Sequence, residues 1–171
     1  MYVIICDIDN CYTDSREWIR HAPKNISDEP KGLQRVLWDK YQSFSFLAKP
    51  NKSVIDFLVA ICDLIPIYFV TSREDRKTSR EDTIRQIEKF SDGRIKIGNT
   101  HKLCMRHEFD YRPCPIVKKE IVQEMLKQGC MPVVAIDDSE ENCKMFKELG
   151  IPTKLYDIEK DTLIEYPPQK D

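Results

Sequence analysis

Asp7 and Asp9 stand directly behind an unbroken apolar run, Val3-Ile4-Ile5-Cys6, and ahead of Asn10. A short apolar run closed by a turn-favouring residue reads as a strand buried on both faces. Two more apolar runs end in chemistry-bearing groups. Ile67-Tyr68-Phe69-Val70 leads into Thr71-Ser72-Arg73-Glu74, and Met131-Pro132-Val133-Val134-Ala135-Ile136 leads into Asp137-Asp138. Lys118 joins them from the start of a helical pattern. Acids behind apolar strands are costly to bury unless they hold a metal or do chemistry. Carboxylates gathered at one sheet edge repel one another. A hard cation relieves this, and Mg²⁺ takes a few carboxylates together with substrate phosphate oxygens. A hydroxyl and an ammonium nearby suit the remaining phosphate oxygens. The set suits phosphoryl transfer to a carboxylate through an aspartyl-phosphate intermediate.

The elements that must bring these groups together are legible as periodicities. The first strand is expected within 2–15, built on the apolar run 3–6 and breaking into a loop near Asp9; others are expected over 67–70 and 131–136, one or two short ones over 95–105, and a last one over 153–156. Helical spacing of apolar residues begins after Pro50-Asn51 with Val54, Ile55, Leu58, Val59, Ile61 and Cys62. Further helices are expected over 79–90, 115–128 and 140–150. In the 115–128 helix the inward face reads as Ile116, Val117, Ile121, Val122 and Met125, and Gly129 closes it. The order predicts an α/β, Rossmann-like fold, a parallel sheet with helices on both faces. The stretch from 14 to 51 is long for a βα connection and carries Trp18, Trp38, Tyr41, Phe44, Phe46 and Leu47 among charges. It reads as a small cap-type insertion over the site, with one helix over 31–41. The tail 158–171 is polar and reads as frayed.

A chain of 171 residues has room for one domain, 1–171, with a sizeable core. Its 41% hydrophobic and 33% charged residues are those of a globular protein, and a net charge of -2 exerts no global pull toward nucleic acid or membrane. Seven cysteines without metal-ligand spacing point to a reducing compartment, hence a cytoplasmic setting. No signal peptide or apolar stretch of membrane-spanning length is expected.

The ordered motifs carry a resemblance. A hydrophobic strand with Asp-x-Asp, then strand-Thr, then Lys, then strand-Asp-Asp resembles the haloacid dehalogenase (HAD) superfamily of phosphohydrolases. A closer likeness lies in Val70-Thr71-Ser72-Arg73-Glu74, Met105-Arg106 with Asp110-Tyr111-Arg112, Ile116-Val117-Lys118-Lys119-Glu120-Ile121 and Ala135-Ile136-Asp137-Asp138. These resemble the phosphatase domain of phage polynucleotide kinase-phosphatase, which removes 3′-phosphates from nucleic-acid ends. The chain has no Gly-x-x-x-x-Gly-Lys-Ser/Thr loop for a kinase half.

The resemblance implies Asp7 as nucleophile and Asp9 as general acid and then base. It implies Thr71 and Lys118 on the transferred phosphoryl group and Arg73 on a further substrate phosphate. It implies Mg²⁺ held by Asp7, Asp137 and the Asp9 carbonyl, with Asp138 in support. Partners would be phosphorylated nucleic-acid ends or nucleotides, with a separate kinase or ligase; no oligomeric state follows. Two departures stand out: Asn10-Cys11 replaces the family's Gly-Thr, and the insertion differs in length from that of the phage enzyme. Asn tolerates the turn conformation that Gly prefers, and Cys11 lacks the hydroxyl.

Several residues have plainer readings. Asp137-Asp138 could cap the helix that follows, Thr71 could be a cap, and Lys119 could replace Lys118. Arg106 and Arg112 could line a nucleic-acid groove, and the mixed charges from 75 to 85 read as a solvated face. Two other functions compete: a nucleotide or small phosphometabolite phosphatase, and a receiver domain phosphorylated on Asp without turnover. In receivers the acidic pair precedes the phosphorylated Asp, whereas here it comes late.

Overall fold

A computed structural model of the chain describes residues 1–23 and 29–167. In order its elements are β1 (Tyr2–Cys6), β2 (Thr13–Asp14), α1 (Arg16–Ile19), α2 (Lys31–Gln42), a 3-10 turn (Ser45–Leu47), β3 (Lys49–Pro50) and α3 (Lys52–Ile61). Then follow β4 (Ile67–Glu74), α4 (Lys77–Phe90), β5 (Lys102–Arg106), α5 (Cys114–Lys127), β6 (Met131–Asp137), α6 (Glu140–Glu148), β7 (Thr153–Asp157) and β8 (Thr162–Tyr166).

Six strands form one sheet in the order β5-β4-β1-β6-β7-β8. All neighbours run parallel except β8, which pairs antiparallel with β7. The apolar strand β1 lies at the centre, and strand periodicity divides its side chains between two cores. Ile4 and Cys6 join Val54, Leu58, Phe69 and Ile87 in the core under α3 and α4. Val3 and Ile5 join Val70, Val122, Met125, Ala135 and Phe146 in the core under α5 and α6. The α/β architecture with helices on both faces is the one expected.

Four local readings need correction. The tail reaches the sheet: Thr162–Tyr166 forms β8, and Leu163 packs on the core under α3. Its turn is tied down by Asp161, which accepts hydrogen bonds from Ser53 Oγ (2.6 Å) and Tyr156 Oη (2.8 Å). Residues 168–171 lie outside the described ones. The stretch 14–51 holds more than the one helix expected, because β2 and β3 close its base as an antiparallel pair and α1 precedes α2. Helix α5 turns Val117, Val122 and Met125 inward as expected and packs Ile121 on the core, but Ile116 is 47% exposed and Lys118 is buried instead. Finally, the charges from 75 to 85 are not all solvated, since the Arg76 side chain is 13% exposed and pairs with Glu74.

Candidate active site

The parity that divides β1 also places the first acids. Asp7 follows Val3 and Ile5 on the α5 side, and Asp137 follows Ala135 on the same side. Cys6 pairs with Ile136, so Asp7 and Asp137 each stand one residue past the last shared rung. Helix α5 carries Lys118 between them. Its Nζ donates to Asp7 Oδ1 at 2.6 Å and to Asp137 Oδ2 at 2.7 Å, and all three side chains are almost closed to water. Asp137 Oδ1 accepts further hydrogen bonds from Ser139 N (3.0 Å) and Asn142 Nδ2 (2.9 Å). The helix cap is Ser139, whose hydroxyl accepts from Asn142 N, so the acidic pair is left free of that duty.

One ammonium does not neutralise the acids around it. Burial raises the Asp7 carboxyl well above its ordinary range; Lys118 pulls the other way, while Asp137, Asp138 and Asp9 add to the rise. Burial, then the Asp137 charge, pushes Asp138 up to about 7. For Lys118 burial works against the charge, but Asp137 and Asp7 outweigh it and hold the ammonium well above its usual value. Carboxylate oxygens of Asp7, Asp137 and Asp138 lie within 4.8 Å of one another. Three hard oxygen donors with surplus negative charge fit a divalent cation such as Mg²⁺.

Asp9 belongs to a second network. Asn10, at φ 62°, turns the chain, and its Oδ1 accepts from Ser15 N at 3.2 Å. Thr13 Oγ1 donates to Ile8 O at 3.1 Å and Asn51 Nδ2 donates to Cys11 O at 2.7 Å. The loop is thus ordered beside a buried Cys11 that has no hydroxyl to offer. Asp9 Oδ1 accepts from Ser15 Oγ at 2.9 Å and from Arg73 Nη2 at 2.6 Å, and Asp9 Oδ2 accepts from Arg73 Nε at 3.0 Å. Arg73 continues the odd positions of β4 toward α4, where its Nη1 donates to Thr83 Oγ1 (3.0 Å) and Gln86 Oε1 (2.8 Å). Its guanidinium also lies 4.7 Å from the Trp18 ring centroid. The Asp9 carboxylate therefore stands outside the three-acid group, and Arg73 is engaged with Asp9.

Thr71 is fully buried within β4 rather than at a helix start, and its Oγ1 accepts from Arg73 N at 3.2 Å. Cys6 pairs with Phe69, which sets Asp7 and Thr71 one and two residues beyond the same rung on adjacent strands. A cavity of about 580 Å³ opens beside Asp9, lined by Trp18, Trp38, Tyr41, Arg73, Arg106 and Tyr111 among others. Arg106 reaches that wall, whereas Arg112 is clamped by Asp110 and Glu120. Sequence reasoning did not single out Ser15, Thr83, Gln86 or Asn142. Thr83 and Gln86 sit three apart on one helix face, a spacing that signals a partner only once Arg73 is known to point there.

A parallel sheet with acids at the ends of its central strands and a lysine from the helix that precedes the second of them defines a haloacid dehalogenase-type hydrolase. Residues 33–156 match the family described as the polynucleotide kinase PNKP phosphatase domain, and the chain belongs to that family. No curated protein matches the chain. Among solved structures, a chain of the Pnkp1/Rnl/Hen1 RNA repair complex superimposes with a TM-score of 0.62 at 20% identity, covering 90% of this chain and 42% of that one. This chain thus spans less than half of that neighbour. A haloacid dehalogenase-like hydrolase from Streptococcus pneumoniae gives 0.56 at 15% identity, covering 88% of this chain and 82% of that one. A HAD-superfamily hydrolase from Geobacter sulfurreducens gives 0.55 at 14% identity, covering 90% and 85%. At these identities the likeness is one of fold. Among the described residues no helix is long and apolar enough to cross a membrane.

Proposed function

We propose that the protein is a Mg²⁺-dependent phosphomonoesterase that works through an aspartyl-phosphate and removes 3′-phosphates from DNA or RNA ends. The observation that carries this reading is the buried group of Asp7, Asp137 and Lys118, with Asp138 in reach and Asp9 two residues from Asp7. Asp7, Asp137 and Asp138 would hold the cation, with the Asp9 carbonyl completing the expected set. When bound, the cation would offset the charge shared by the acids and the phosphate.

In the first step a carboxylate oxygen of Asp7 attacks phosphorus and the ester P–O bond breaks. Asp9, once released from Arg73 and protonated, gives its proton to the departing oxygen. In the second step water attacks the same phosphorus, Asp9 takes a proton from it, and the Asp7–phosphorus bond breaks to release phosphate. Lys118 and Thr71 hold the transferred group. Arg73 enters through Asp9: it holds both Asp9 oxygens, so a contact with substrate phosphate would draw on that pairing. The segment 14–51 acts as a cap over the leaving-group side, and the chain works beside a separate kinase or ligase in the cytoplasm. The family assignment speaks against a receiver domain, which does not turn over.

The test is phosphate release with Mg²⁺ from a 3′-phosphorylated oligonucleotide, its 5′-phosphorylated twin and a 3′-mononucleotide. Strong preference for the 3′-end is expected. Equal or faster turnover of the mononucleotide would replace ends with nucleotides or small metabolites as the substrate.

A further inference from the structure

Helix α2 has an unusual distribution of apolar residues. None of residues 32–42 is buried, so the helix contributes nothing to either core. Yet Gln34, Trp38, Tyr41 and Gln42 follow the spacing of one helical stripe, and all four line the cavity beside Asp9. The aromatics of this helix therefore face the cavity that adjoins the candidate acid–base.

The stripe is braced from behind. Trp18 is closed to solvent, stacked on Tyr41 at 4.9 Å and 19°, and its Nε1 donates to Tyr41 O at 2.7 Å. Trp38 meets Tyr41 edge-on at 5.6 Å and 73° and stays half-buried. The same cavity is lined by Tyr111, 53% exposed, on the loop between β5 and α5. That loop is preset. Arg106 Nη1 donates to Asp110 O (2.8 Å) and Arg112 O (2.9 Å), and Arg112 grips both Asp110 and Glu120. Arg106 Nε is buried without a hydrogen-bond partner among the described residues, at the same wall. Aromatic faces held ready before binding lose little freedom on contact.

We infer that Trp38 and Tyr111 seat the nucleobase of the nucleoside whose phosphate is removed. The inference rests on the phosphatase reading above and names what selects its substrate. Gln34, Gln42, Ser72, Glu74 and Arg106 give the wall polar partners for many ligands; what suits it to a nucleotide is the exposed aromatic surface, because every base has a flat π-face. The Gln34 and Gln42 amides can donate or accept, so the wall suits a base without demanding one identity. Arg106 supplies positive charge suited to the neighbouring phosphodiester.

The experiment compares a 3′-phosphorylated oligonucleotide with the same strand ending in an abasic 3′-phosphate. The wild-type protein should prefer the base-bearing end in kcat/KM by about tenfold or more, the range of one stacked base. Trp38→Ala and Tyr111→Ala should each cut that preference by about tenfold. Trp38→Phe, which keeps an aromatic face, should retain most of it and carries the test if Trp38→Ala does not fold. A second readout needs no turnover: Asp7→Asn protein titrated with the 3′-phosphorylated strand should lose tryptophan fluorescence, and the loss should vanish with Trp38→Phe added. Phosphate release with no preference for the base-bearing end and no quenching overturns the base site and leaves the phosphatase reading standing. Quenching with no phosphate release from any substrate overturns the phosphatase reading and leaves the base site standing.

Discussion

Lys118 sits between Asp7 and Asp137 in a place closed to water, whereas Arg35 meets Glu108 at 3.6 Å with 52% of its own side chain exposed. Both are ion pairs; their consequences differ. In the sheet, strand parity and the packing of α5 bring the charges together, and burial makes each partner costly to lose. Around α2, Arg35 and the largely buried Arg76 pair with the exposed Asp39 and the half-buried Glu108, and both guanidinia lie near the Phe109 ring. Water and salt screen such pairs, and each contributes little. The lesson is a division of labour: a buried group of charges suits the reaction, and a helix outside the core, with its aromatics braced by Trp18, suits the choice of what enters.

That contrast can be broken in three places, and one further test reads the core outside it. The largest effect is expected at the nucleophile: Asp7→Asn should lower kcat by about a thousandfold or more, measured as phosphate release. Activity near wild type would remove the buried group from the chemistry. Next, Lys118→Met strands two buried carboxylates and should destabilise the fold by about 3–5 kcal/mol in urea unfolding. Millimolar Mg²⁺ should restore more stability to this variant than to wild type, because a ligand of the native state alone stabilises it. An equal effect of Mg²⁺ on both proteins would separate the cation from these acids.

A third test probes the core away from both regions. His101 is buried, its pKa lies below 6.5 because burial disfavours the charged ring, and its Nδ1 accepts from Ile67 N at 3.1 Å. The unfolded chain therefore binds the proton more readily. The stabilisation from neutral His101 is full above about pH 6.5 and is lost as pH falls through the lower folded value. Urea midpoints should fall across that window, and His101→Gln should flatten the slope. The smallest effect belongs to the surface pairs: Glu108→Ala should cost less than about 1 kcal/mol. A larger loss would mean that α2 is held as firmly as the core.

Much of this could be read from residue order. The apolar runs ahead of Asp7, Thr71 and Asp137 placed the central strands, and the periodicity of the helices placed them between. That Asp7 and Asp137 share a side, by contrast, follows only once β1 and β6 pair with Cys6 opposite Ile136. Asn10 at positive φ follows from its tolerance of the turn that Gly would otherwise take. Other features are decided by partners distant in sequence. Nothing local shows that Arg73 turns to Asp9, because its direction depends on Thr83, Gln86 and Trp18 closing around it. Nothing local separates Lys118 from Lys119 until α5 packs on the sheet, and that same packing leaves Ile116 outside. The tail reads as polar, and it becomes β8 because β7 offers an open edge and Asp161 ties the turn to α3. The sequence by itself therefore determined the strands, the helices and the acids at their ends, because periodicity and burial are properties of short stretches. Only the tertiary structure decided which acid holds which cation-bearing side chain and which aromatic face stays open, because those contacts join stretches that periodicity does not link.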